Sequence, residues 1–161
     1  MFRNDELEPR DFRVLAEFRY EIRRFLHFSE EAARAAGVEP RQHQLLLAVK
    51  GLPDGREPTV GELAERLQLQ HHSADELIAR AEERGLVRRQ RPESDRRRRY
   101  VTLTPEGERL LRDLTLSHRA ELRAAAPALR RALAALAGEP NNQTSGATEN
   151  AHEERAPASA R

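Results

Sequence analysis

The stretch from Thr59 to Pro105 constrains the fold most, because it must hold two short helices and a hairpin with little room between them. Thr59-Val-Gly-Glu62 fits a capping box, in which the Thr hydroxyl accepts from one free helix N–H and the Glu reaches back for another. A helix body over 62–67 follows, with Leu63, Ala64 and Leu67 apolar. Gln68-Leu-Gln-His71 reads as a short break. Ser73-Ala-Asp-Glu76 is a second capping-box pattern and predicts a helix from Ser73 to Arg84. Leu77, Ile78 and Ala81 would form its inner face, and Gly85 would stop it. Leu86 to Arg91 then reads as a strand, Pro92-Glu-Ser-Asp95 as a turn, and Arg96 to Leu103 as a second strand. Tyr100, Val101 and Leu103 favour extended backbone there.

Two short helices joined by a turn of about four residues make a helix-turn-helix, a corner that also occurs inside ordinary helical cores. The hairpin that follows directly, with a charged tip, narrows the order to that of a winged helix. Long helices flank it. Phe12, Leu15, Phe18, Ile22 and Phe25 recur at spacings of three and four and predict a helix over 11–36, ended by Gly37. Such an aromatic stripe is either core or a dimer seam. Pro40 to about Lys50 is a second helix, with Pro at its first position and Leu45, Leu46, Leu47 and Val49 as a broad buried face. Residues 51–58 are rich in turn formers and read as a loop.

Thr104-Pro105 starts another helix, with Thr as the cap and Pro at the first position. Leu110, Leu111, Leu114, Leu122 and Ala125 or Ala126 continue its apolar face. Pro127 is expected to break or kink it, and Leu129, Leu133 and Leu136 carry a last helix to about Ala137. The fold class is therefore mainly α with a small β-hairpin wing. Residues 1–137 form a single domain, with the winged core at about 40–104. From Gly138 to Arg161 there is no Leu, Ile, Val or aromatic residue, so this polar tail is expected to be disordered.

Charge adds a pointer. Residues 88–99 hold seven Arg against Glu93 and Asp95, a local +5, so the rest of a chain of net charge +1 sums to −4. A basic patch on an otherwise acidic protein is a nucleic-acid signal. Position matters more than number here, since Lys50 is the only lysine and every other basic side chain besides histidine is Arg. The absence of cysteine removes disulfides, thiolate metal sites, cysteine nucleophiles and a peroxide-sensing thiol. No apolar run approaches the roughly 20 residues of a membrane span, and the charged start has no signal-peptide core. The expected location is the cytoplasm.

The arrangement resembles the MarR-type family of transcriptional regulators. Asp95-Arg-Arg97 followed by Leu103-Thr104 and Gly107 resembles that family's Asp-x-Arg wing signature leading into its Leu-Thr-x-x-Gly helix start. Gly61-Glu-Leu-Ala64 and Arg84-Gly-Leu-Val-Arg88 fit the same order. The resemblance implies a homodimer joined through the helices at about 11–36 and 105–137, and binding of double-stranded DNA. It also implies a repressor that reads a pseudo-palindromic operator and answers a small anionic or aromatic effector. One segment departs from the pattern. Residues 71–76 read His-His-Ser-Ala-Asp-Glu, where many members carry small, Thr- or Arg-containing segments. Asp75 and Glu76 favour a helix N-terminus but repel phosphate.

On this reading Gln70, His71, His72 and Ser73 approach a major groove, and Arg80, about two turns along, reaches a phosphate. For His71 and His72, ordinary turn and cap positions are the alternative. The resemblance places Arg97 in a minor groove with Arg96 and Arg98 as helpers, narrow A·T-rich grooves being attractive to Arg. Asp95 would orient a wing arginine. Tyr20, Arg23, His27 and His43 are the candidate effector pocket, with core or surface roles as the alternative. His27, His43 and His118 look too scattered for a metal, and no cofactor is expected. No phosphate loop, metal triplet or nucleophile motif points to an enzyme. Two rival readings remain: a winged-helix protein-interaction module without DNA binding, supported by Asp75-Glu76, and a ligand-binding helical dimer.

Overall fold

In a computed structural model, residues 7–90 and 99–137 are described. Five helices and one hairpin follow in the order α1 (Pro9–Ala35), α2 (Pro40–Lys50), α3 (Val60–Arg66), α4 (His71–Glu83), β1 (Val87–Gln90), β2 (Tyr100–Leu103) and α5 (Pro105–Leu136). None of these helices is long and apolar enough to cross a membrane.

α1 opens two residues before the stripe predicts. The Asp11 carboxylate accepts from the Glu8 N–H at 2.8 Å, and Pro9 supplies a pre-set φ at the first position. It ends as the glycine predicts: Gly37 takes φ +74°, and the Val38 N–H donates back to the Ala33 carbonyl at 3.0 Å. α2 keeps its predicted bounds. Its face is narrower than expected, since Leu45 and Leu46 are buried but Leu47 is exposed. Thr59 caps α3 by accepting from the Glu62 N–H at 3.3 Å. The return half of the expected capping box does not form. The Thr59 N–H donates to the Glu57 carbonyl, and the Glu62 carboxylate takes Arg56 at 3.0 Å and Arg66 at 3.1 Å.

The core lies where α2, α3, α4 and the hairpin meet. Leu45, Leu46, Leu63, Leu77, Ile78, Val87 and Val101 are fully buried there, with Leu111 and Leu114 of α5 closing one side. β1 and β2 pair antiparallel with Val87 opposite Leu103 and Gln90 opposite Tyr100. The loop before α3 adds a short third edge: Thr59 bridges Tyr100, and the Val101 N–H donates to the Pro58 carbonyl at 2.9 Å.

Thr104 caps α5 by accepting from the Gly107 N–H at 3.1 Å, while its own hydroxyl donates to the Gly85 carbonyl. A Cβ on Gly107 would stand 2.1 Å from the Leu86 carbonyl oxygen, so only glycine lets α5 start this close to the end of α4. Pro127 does not break α5, which runs unbroken to Leu136. Pro127 is exposed and only one backbone bond is lost at it, so the packed residues Ala125 and Ala132 on either side hold the helix together.

α1 packs along α5, yet much of its stripe stays uncovered. Phe12 is 61% exposed and Leu15 50%, while Phe18 and Phe25 are only half-buried. Leu116, Leu122, Leu133 and Leu136 of α5 are also exposed.

Candidate nucleic-acid interface

α3 and α4 meet through a turn tightened by Gln68, which adopts φ +53° without being glycine. The Leu69 N–H donates to the Ala64 carbonyl at 2.9 Å and closes the end of α3. α4 then begins at His71, with Gln70 as its extended cap residue, and not at Ser73. The first helical bond runs from the Ala74 N–H to the Gln70 carbonyl at 3.0 Å. Ala74, Leu77, Ile78 and Ala81 must all face the core, and that packing outweighs the local cap signal of Ser73.

His71 and His72 are therefore the first residues of α4 rather than turn residues, and both are exposed with Gln70. Ser73 is half-buried, and Arg80 is exposed in the last turn. At about 100° per residue, His72, Glu76, Ala79 and Glu83 run along the side opposite the core. Asp75 lies to one side of that line, towards the hairpin.

There it meets Arg89. Arg89 Nη2 donates to the Asp75 carbonyl at 3.0 Å and to its Oδ1 at 2.9 Å. Arg89 Nη1 faces Glu82 Oε2 at 3.6 Å, and the Arg89 backbone N–H donates to Glu82 Oε1 at 2.8 Å. The repulsion expected between Asp75 and phosphate is thus offset inside the protein by one of the seven arginines of the basic segment. Arg88 and Arg99 are exposed on the hairpin and have no ion-pair partner among the described residues. Asp95, Arg96, Arg97 and Arg98 lie outside the described residues.

Arg84 has a separate task. It donates to the Gln42 carboxamide at 3.2 Å and to the Gly37 carbonyl, which ties the end of α4 to the α1–α2 corner.

The four residues expected to line an effector pocket are not brought together. Tyr20, Arg23 and His27 share the exposed side of α1, while Phe25, Phe28 and Ser29 occupy the side towards α5. His43 is buried on α2 and faces His118 of α5, with ring centroids 4.8 Å apart. His118 donates from Nδ1 to the Leu114 carbonyl at 2.6 Å and shares Nε2 with the Ser29 hydroxyl at 2.7 Å. Burial first, and the neighbouring His118 second, lower the His43 pKa to about 4. Two histidines that looked scattered in sequence are therefore a contact pair, although among the described residues no group of three side chains is placed to hold a metal. A groove of about 380 Å³ lies nearby, lined by Lys50, Glu108, Leu111, Arg112, Thr115, Leu116 and Arg119. Lys50 pairs with Glu108 at 2.7 Å, which leaves the two guanidinium groups unpaired among the described residues.

A helix pair with an exposed first turn on its second member, followed by a hairpin with exposed outer arginines, makes a winged helix-turn-helix, an arrangement able to dock on duplex DNA. Residues 36–98 match the model of the MarR family. Over that segment, which is less than half of its length, the chain is similar to that family of regulators. It is 58% identical over 36 residues to the transcriptional regulator HosA of Escherichia coli, a match covering 22% of this chain and 27% of that protein. The match thus spans about a quarter of the length of that curated relative. AbsC, a MarR family transcriptional regulator from Streptomyces coelicolor, shares the fold with a TM-score of 0.63 at 22% identity, over 84% of this chain and 97% of that one. A MepR variant of Staphylococcus aureus, solved bound to an oligodeoxyribonucleotide, aligns with a TM-score of 0.56 at 20% identity, over 68% of this chain and 79% of that one.

Proposed function

We propose that the protein is a DNA-binding transcriptional repressor that reads a pseudo-palindromic operator as a homodimer. The exposed first turn of α4, set beside a hairpin with exposed Arg88 and Arg99, carries this reading. The DNA-bound MepR neighbour supports it. Gln70, His71, His72 and Ser73 meet base edges or the adjoining backbone, Arg80 meets phosphate, and Arg97 enters the minor groove with Arg96 and Arg98 beside it. Asp95 orients one of those arginines. The pairing of Asp75 with Arg89 weakens the case for an interaction module that has lost DNA binding.

Residues 1–137 act as one unit in this reading, within the cytoplasm, and no catalytic step is assigned. The second copy covers the exposed apolar residues of α1 and α5, each large side chain fully covered contributing about 2 kcal/mol. A two-fold dimer then presents its α4 helices about one DNA turn, roughly 34 Å, apart. The effector is a small anionic or aromatic molecule. The groove lined by Lys50, Arg112 and Arg119 over Leu111 and Leu116 offers three cations to one carboxylate and suits such a ligand better than the exposed side of α1. Binding there would favour one spacing of the two reading heads over another.

The test is a fluorescence anisotropy titration of the protein on its own upstream DNA at several salt concentrations. Binding should prefer that DNA over a scrambled duplex and weaken with salt by about 0.9 in log–log slope per phosphate neutralised. Arg97→Ala should weaken binding and flatten the slope. Failure to bind at low salt rejects the regulator.

A further inference from the structure

Arg89 is the hairpin arginine that turns inward. Side chains alternate along β1, so Arg88 and Gln90 are exposed, Val87 is buried, and the Arg89 side chain is only 21% exposed. Its guanidinium holds Asp75 near the start of α4, and both its backbone N–H and Nη1 engage Glu82 near the end. Asp75 and Glu82 are separated by about two turns, roughly 10 Å of helix. One residue of the hairpin therefore spans most of the hairpin-facing side of α4.

We propose that Arg89 is a positioning residue for DNA recognition: it fixes the angle between α4 and the hairpin and neutralises Asp75 at the edge of the DNA-facing surface, without touching phosphate itself. The proposal rests on the regulator reading above. A helix in one groove and a hairpin in the next succeed together only if their relative placement is set before docking. Val87 and Val101 seat the base of the hairpin in the core, but apolar packing is not directional and fixes the angle less closely than an oriented bond does. A planar guanidinium that bonds at fixed angles supplies the missing constraint, which a lysine ammonium does not. Left unpaired, Asp75 would stand in the first half of α4 as a bare carboxylate facing the phosphate backbone. Bridged, its charge is offset within the protein.

The experiment measures affinity and salt slope on the upstream DNA for wild type, Arg89→Met, Arg89→Lys, Glu82→Gln and the double variant Arg89→Met with Asp75→Asn, with circular dichroism melts confirming the fold. Arg89→Met should weaken binding about tenfold at unchanged slope, because no phosphate contact is lost. Adding Asp75→Asn should recover part of that loss, at least about threefold. Arg89→Lys should not restore wild-type affinity. Glu82→Gln keeps both Arg89 and Asp75 and removes the ion pair at the far end of the bridge, while its carboxamide oxygen can still accept from the Arg89 N–H. It should weaken binding about threefold, and it stands as the test if Arg89→Met fails to fold. A slope flattened by about 0.9 in Arg89→Met, or unchanged affinity in Glu82→Gln, overturns the positioning role and leaves the regulator intact. A wild-type chain that binds no duplex at low salt overturns both.

Discussion

Acid should destabilise this protein through one buried histidine before its carboxylates titrate. His43 sits on α2, 4% exposed, against His118 of α5. Desolvation by burial, then the His118 ring, hold its pKa at about 4 against an ordinary 6.5. Between those two values the unfolded chain binds a proton that the folded chain does not. Stability must therefore be complete above about pH 6.5 and fall as pH drops towards 4. The full span corresponds to about 3 kcal/mol, since each pH unit is worth about 1.4 kcal/mol. Most carboxylates stay ionised down to about pH 5.5, and from pH 7.5 to that point the loss from His43 alone should be about 1.3 kcal/mol.

Urea denaturation at the two pH values, at fixed protein concentration, reads this directly. His43→Leu replaces the ring with an apolar side chain that cannot take a proton. A shift in absolute stability leaves the comparison intact, because the quantity tested is the difference between pH values within each protein. Wild type should lose about 1 kcal/mol more than His43→Leu on acidification. Equal losses in the two proteins would show that His43 is not held neutral by its surroundings, and the reasoning from its burial would be wrong.

Two other substitutions test the packing. Gly107→Ala would drive a Cβ to 2.1 Å from the Leu86 carbonyl oxygen, and backbone there has nowhere to retreat. Urea denaturation should show a loss of about 2–3 kcal/mol, as overpacking does, and an unchanged midpoint would refute the close approach. Leu15→Glu combined with Leu133→Glu places charges on the exposed apolar faces of α1 and α5. Light scattering at micromolar concentration should then give a monomer mass where wild type gives a dimer, and a dimer mass in the double variant would reject these faces as the seam.

Local signals in the sequence located most helix ends because those signals act locally. Gly37 and Gly85 take positive φ, and Thr59 and Thr104 accept from backbone N–H groups three residues ahead, as their positions imply. Where a local signal misled, a longer-range requirement opposed it. Ser73 has the look of a cap, but the burial of Ala74, Leu77 and Ile78 sets the helix phase and carries its start back to His71. Pro127 should interrupt a helix, yet it lies on the exposed side of one whose neighbouring turns are packed. The pairing of Thr59 with Tyr100 left no trace in either segment alone.

The site was less legible than the fold for the same physical reason. An exposed cation and one spent on an internal carboxylate have the same letter in the sequence, and only the partner tells them apart. Arg88 and Arg89 are adjacent, but strand alternation sends the first to solvent and the second across to α4. The inward phase of β1 could have been read from Val87, the apolar residue that must face the core, since Arg89 shares its side of the strand. What could not be read is that Asp75 would be waiting there, because that depends on how α4 packs against the hairpin, a contact between two segments. Asp75 and Glu82 fall on one side of α4 two turns apart, and a single inward arginine can meet both. The basic count of the hairpin therefore overstates its charge towards DNA by at least one arginine. The salt slope of binding should follow the arginines that remain outward, not the number written in the sequence.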